Sequence, residues 1–275
     1  MSSSDDHVFS EFRSATRKKL NAFRMDKKYC DVTIRVQEEA FECHRAVLAS
    51  ASEYFDSMFG GNFKEKSTGD VVLHDIDAPS FKILLEFMYT GCIADVNEGN
   101  IRDLLLASSI LDISAMQSYG ADFYAREQYF DYDFEDIIEL FIFACSINNE
   151  ALISDLKSYL VTHFNEMCPR EEFLEIPFYG LNSLLEGYKK CENNEFKKIE
   201  DLVLDTIIRW VHHKPDERKI HFEKLSAWIQ FEKVSAEYVQ FLSKEYGIAS
   251  NTPRIGEDKL LKLKKNLIDY FEYDR

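Results

Sequence analysis

The sequence predicts an α+β N-terminal domain, short strands with a helical bundle, followed by an all-α domain. Val32, Ile34 and Val36 alternate with Thr33 and Arg35, the period-two pattern of a half-buried strand. A helix in the same half is punctuated by Pro79 near its start and Gly91 as its stop. From Phe134 onward the apolar residues follow helical spacing almost alone: Ile137, Ile138, Leu140, Phe141 and Ala144, then Leu152, Leu156, Leu160 and Phe164.

Taken in order, residues 1–6 are polar and read as a frayed end, after which Val8, Phe9, Phe12, Thr16, Leu20 and Phe23 trace a helical stripe. A stripe this apolar wants a partner. The strand from Cys30 leads into a polar loop over Gln37–Ala40, Phe41–Cys43 returns, and a helix runs on to Phe59. Residues 71–91 read as a strand and then an amphipathic helix, followed by helical residues 104–113 and 115–126. In the second half Pro169, Pro177, Gly187 and Pro215 separate paired amphipathic helices, and 251–256 is a loop. The last helix, Lys259–Phe271, carries Leu260, Leu263, Leu267 and Phe271 on one stripe, which is expected to dock back on its own domain. These boundaries give one domain over 8–125 and a second over 127–273.

A length of 275 residues with 45% hydrophobic and 14% aromatic content is ample for two packed cores. A net charge of -16 opposes nucleic acid and anionic membranes as partners, because binding to phosphates draws on clustered Lys and Arg. The basic run Arg13–Lys28 is interleaved with Phe12, Leu20 and Phe23 and reads as the solvated face of a helix. No stretch approaches the ~20 apolar residues of a membrane helix. The six cysteines lack any Cys-x-x-Cys pair and no apolar leader opens the chain, which fits a reducing cytoplasmic or nuclear home. No HExxH, nucleophile motif or Gly-rich phosphate loop is present, so the expectation is a non-enzymatic protein with no cofactor and no metal. Trp210 and Trp228 read as packing anchors, and His212 and His213 as helix-end residues.

Five ordered motifs resemble the BTB (POZ) domain: Cys30-Asp31-Val32, His44 to Ala49, Tyr54-Phe55, Tyr89-Thr90-Gly91, and Asn100 to Leu105. The second half resembles the BACK domain of kelch-like proteins through Asn165-Glu166, Glu172-Phe173-Leu174, and the segment 201–228 with Trp210 and Arg218. The resemblance implies a homodimeric adaptor that recruits the scaffold cullin-3 and presents an unknown protein substrate to a ubiquitin ligase. Kelch-like proteins continue into a propeller that binds the substrate, whereas these 275 residues stop where it would begin. A rival reading is an oligomeric scaffold or transcription-associated protein that never meets a cullin; an uncharacterised hydrolase lacks motifs.

The apolar stripe of Phe9, Phe12, Leu20 and Phe23 is expected to form a dimer interface, and the resemblance implies that Asp31 and Arg45 join it as a charged pair near the symmetry axis. It implies cullin contacts at Phe63, Glu65, Tyr89 and Asn100, where Phe63-Lys64-Glu65 fits the family's hydrophobic-x-Glu motif. His44 occupies a family-typical core position. Glu127, Asp131, Asp133, Glu135, Asp136, Glu139, Glu150 and Asp155 form an acidic run without Lys or Arg, either a solvated face or one that steers a basic partner. Asp136 stands where the family has a capping asparagine, and the family's cysteine near Gly120 is missing.

Overall fold

The computed structural model describes residues 3–61, 69–126, 133–190, 199–246, 263–268 and 270–271, with side chains from residue 12 onward. The chain divides into two compact units: Met1–Glu127 with Ile147–Ala151, and Gln128–Ser146 with Leu152–Arg275.

The first unit runs α1 (Ser3–Met25), β1 (Val32–Val36), β2 (Glu39–Cys43), α2 (Arg45–Ala51), α3 (Glu53–Gly60), β3 (Asp70–Leu73), α4 (Ala78–Thr90), α5 (Ile101–Ile110) and α6 (Ser114–Arg126). The sheet order is β2-β1-β3. β1 pairs antiparallel with β2 (Val32 opposite Cys43) and parallel with β3 (Thr33 opposite Asp70). Alternation does what it predicts: Val32, Ile34 and Val36 are buried together with Val71 and Leu73, while Arg35 stays outside and pairs with Asp70 at 2.9 Å. The single helix expected up to Phe59 is a correction, because Ser52 splits it. The Ser52 hydroxyl accepts from Phe55 N–H and donates to Leu111 O, which starts α3 as a new helix.

Helix α4 is bounded by Asp77, whose carboxylate accepts from Ser80 N–H, and by Gly91, whose left-handed φ of 72° closes it through a bond to Phe87 O. Phe81, Leu84 and Leu85 fill the core beneath the sheet. Helix α1 meets this core through its C-terminal part: Leu20 packs on it, Asn21 and Arg24 both bond Glu86 of α4 at 2.8 Å, and the Arg17 guanidinium lies against Gly91.

The second unit is helical throughout its described residues: α7 (Phe134–Ser146), α8 (Glu150–Thr162), α9 (Phe164–Met167), α10 (Phe178–Lys190), α11 (Ile199–His213), α12 (Pro215–Arg218), α13 (Phe222–Ser226) and α14 (Ala236–Glu245), with short 3₁₀ turns between some of them. Helical residues 263–268 and 270–271 follow, with Leu263, Leu267 and Phe271 buried and Phe271 against Phe222 at 4.8 Å. Leu263, Leu267 and Phe271 of the last stripe thus dock back within their own unit, and Leu260 lies outside the described residues. Trp210 is 1% exposed; its indole N–H donates to Ile176 O at 2.7 Å, and the Arg218 guanidinium lies 4.3 Å from its ring. Asp136 lies inside the first turn of α7, so it complements the positive helix end without being the cap expected of it.

Candidate partner-binding surface

Asp31 and Arg45 meet through the backbone. The Asp31 carboxylate accepts from Arg45 N–H at 2.8 Å and so caps the start of α2, while Arg45 Nε donates to the Asp31 carbonyl at 3.3 Å and its guanidinium lies 5.1 Å from the Phe59 ring. Asp31 is exposed and Arg45 half-buried. This pair therefore joins β1, α2 and α3 inside one chain.

Beside it, His44 and Tyr89 form a buried node. Tyr89 OH lies 2.8 Å from both His44 N and His44 Nδ1, and His44 Nε2 lies 2.9 Å from Lys28 O. Every group is satisfied when the phenol accepts from the backbone N–H and donates to Nδ1, leaving the ring proton on Nε2 for the Lys28 carbonyl. Burial raises the Tyr89 phenol and pushes the neighbouring Cys43 thiol up to about 12, so neither ionises at neutral pH. At 1% exposure Tyr89, expected from the resemblance among the cullin-facing side chains, is packed in the core of its unit. Tyr89→Phe is expected to cost about 1–3 kcal/mol, because it strands the buried His44 N–H. Thermal unfolding checks this, and an unchanged midpoint would show that the node carries no stability.

Asn100 is half-buried and organises its own loop, accepting from Asn97 N–H at 2.9 Å and donating to Asp95 O at 2.7 Å. Phe63 and Glu65 lie outside the described residues, as does the side chain of Phe9. Of the expected dimer residues on α1, Leu20 and Phe23 are half-buried, whereas Phe12 is 71% exposed.

A cleft of about 760 Å³ opens between α3, α5, Gln117 and the turn 147–148. Tyr54, Met58, Ile110 and Ile147 give it apolar walls, and Glu53 and Asp112 are its charged groups; no Lys or Arg appears among its described lining residues. Two bonds hold its rim: Ser109 Oγ donates to Ile147 O at 2.9 Å, and Asn149 Nδ2 donates to Gln117 O at 3.1 Å. Sequence reasoning missed this cleft. Its walls come from segments some 90 residues apart, and no motif of fixed spacing connects them. Among the described residues there is no cluster of three or more metal-ligating side chains, and no helix is long and apolar enough to cross a membrane.

The BTB/POZ domain family model matches residues 20–127, and the model for BACK, "BTB And C-terminal Kelch", matches residues 137–243. The chain belongs to the BTB–BACK proteins of the kelch-like family. Human Kelch repeat and BTB domain-containing protein 12 is 30% identical over 76% of this chain and 32% of its own length. The zebrafish (Danio rerio) protein of that name is 27% identical over 93% of this chain and 40% of its own. Human Kelch-like protein 6 is 28% identical over 79% and 35%. The chain thus spans about a third to two fifths of the length of these relatives. Among solved structures, the BTB domain of zebrafish PATZ1 is 30% identical, covering 42% of this chain and 94% of that one, with a TM-score of 0.39.

The cleft and the His44–Tyr89 node both lie in the BTB unit, and the Trp210–Arg218 stack lies in the BACK unit. BTB–BACK proteins are generally non-enzymatic.

Proposed function

We propose that this chain is a homodimeric BTB–BACK adaptor that recruits cullin-3 and so presents substrates to a cullin–RING ubiquitin ligase, in the cytoplasm or nucleus. The cleft of the BTB unit is the observation that carries the reading. Its apolar walls and acidic groups suit a segment that brings aliphatic or aromatic side chains together with positive charge. The segment 62–68, with Phe63 and Glu65, directly follows α3, one wall of that cleft. Within the BACK unit, exposed acids of the run singled out above, Asp133, Asp136, Glu139 and Asp155 among them, give that unit a negative face of its own that would speed encounter with a basic partner.

Dimerisation enters for a physical reason. Phe12 at 71%, Met25 at 69% and Tyr29 at 77% exposure all belong to α1 or the turn after it, and apolar side chains gathered there are expected to be covered. A homodimer carries two scaffold sites, which raises the effective concentration of a bivalent substrate.

The test is Phe63→Ala combined with Glu65→Ala. The double variant is expected to keep its fold and dimer while binding cullin-3 at least roughly thirtyfold more weakly, the effect of losing an interface anchor. Calorimetric titration reads this directly. Unchanged affinity would return Phe63 to local packing.

A further inference from the structure

The polar groups lining the BTB cleft are not evenly split between donors and acceptors. Ser108 Oγ donates to Leu105 O at 2.9 Å and Ser109 Oγ to Ile147 O at 2.9 Å, while Gln117 Nε2 serves Leu105 O at 3.2 Å and Ser108 Oγ at 2.7 Å. These donors are spent inside the unit. The Gln117 amide is fixed by its two bonds, since reversing it would set its oxygen against the Leu105 carbonyl, and what it has left is Oε1, a buried acceptor with no hydrogen-bond partner among the described residues. Glu53 and Asp112 are exposed on the lining, and neither carboxylate has a hydrogen bond or ion pair among the described residues. The balance is toward acceptors and negative charge.

Asp112 sits in the turn that ends α5, with a left-handed φ of 49°, and the turn is held by Asp112 N–H on Ser109 O at 3.2 Å and Ile113 N–H on Ser108 O at 2.9 Å. Glycine or asparagine would meet that conformation at less or equal cost, whereas aspartate also keeps a charge at the edge of the cleft. We propose that Asp112 is a specificity-determining residue of the cleft: its carboxylate receives the guanidinium or ammonium group of an arginine or lysine that the cullin-3 segment carries beside apolar side chains, and Glu53 strengthens the same field. This rests on the adaptor reading above and adds the chemistry by which the cleft selects its occupant. Tyr54, Met58, Ile110 and Ile147 would accept any apolar segment of suitable shape. An acidic or wholly apolar one, however, would desolvate two carboxylates without a counter-charge, which is how the cleft would reject it.

Neutralising the two acids tests this, read as the Kd for the N-terminal domain of cullin-3 by calorimetric titration. Asp112→Asn suits the left-handed turn and should leave the melting temperature within about 2 °C, while weakening binding about fivefold. Asp112→Asn with Glu53→Gln should weaken it about tenfold or more, and the gap to wild type should narrow as sodium chloride rises from about 50 to about 300 mM. Glu38→Gln with Asp122→Asn removes the same charge from exposed positions that do not line the cleft, and its Kd is expected within about twofold of wild type. A wild-type chain that binds cullin-3 while the Asp112→Asn, Glu53→Gln variant binds as tightly, or no more weakly than the Glu38→Gln, Asp122→Asn control, overturns the role of Asp112 and leaves the adaptor reading standing. A wild-type chain that does not bind cullin-3 overturns both.

Discussion

Trp210→Ala is expected to lower the melting temperature of the BACK unit by on the order of 10 °C. The indole is 1% exposed, donates to Ile176 O, and forms the surface on which Arg218 lies. Arg218 is itself only 6% exposed and donates to Leu174 O at 2.6 Å and Trp210 O at 2.9 Å, with burial lowering its pKa. Truncation would open a cavity, strand the Ile176 carbonyl, and remove the ring that covers a desolvated cation. Removing a buried Trp or Phe typically costs about 3–5 kcal/mol, and each kcal/mol moves the midpoint of a domain of this size by roughly 2–4 °C. Trp210→Phe keeps most of the volume and should fall between. A midpoint unchanged in Trp210→Ala would contradict the view that this stack closes the BACK core.

Deleting residues 257–275 is expected to cost several kcal/mol, because Leu263, Leu267 and Phe271 are all buried in the BACK unit. Phe271 lies 4.8 Å from Phe222 and 5.2 Å from His212, and Tyr270 lies 5.9 Å from Tyr246, so the segment ties α11, α13 and the end of α14 together. Thermal unfolding of the shortened chain should fall by several degrees. If it melts unchanged while losing a protein partner, the segment is a recognition element and not a closing one.

Much of this was legible because the signals are local. The period-two run at Val32–Val36 fixes which side chains enter the BTB core, and Trp210 and Arg218, eight residues apart, stand at matching positions in the BACK resemblance. The break at Ser52 also had a local signal, since a serine followed by Glu53 and Asp56 is an N-terminal helix pattern; the helix-compatible run before it obscured the cap. Asp31 and Arg45 are less legible. Opposite charge predicts a side-chain pair, yet the carboxylate accepts the N–H that begins α2, and charge alone does not reveal a backbone bond. Tyr89, three residues before a cysteine and two before a helix-ending glycine, could stand on either face, and its burial follows from His44 some 45 residues away. The cleft depends on the same kind of distant meeting between α3, α5 and residues 147–148.

Function would then follow from two surfaces with different chemistry: an apolar and basic helix that pairs with its own copy, and an acidic cleft that receives a scaffold. Separating them in one molecule is the sharpest check on the adaptor reading. The decisive measurement is calorimetric titration of the dimer with the N-terminal domain of cullin-3, beside the same titration of the Phe63→Ala, Glu65→Ala variant. Saturable binding at one cullin per protomer, lost in the variant while its dimer persists, is the result predicted; a folded dimer that releases no heat and shows no binding to cullin-3 would contradict it.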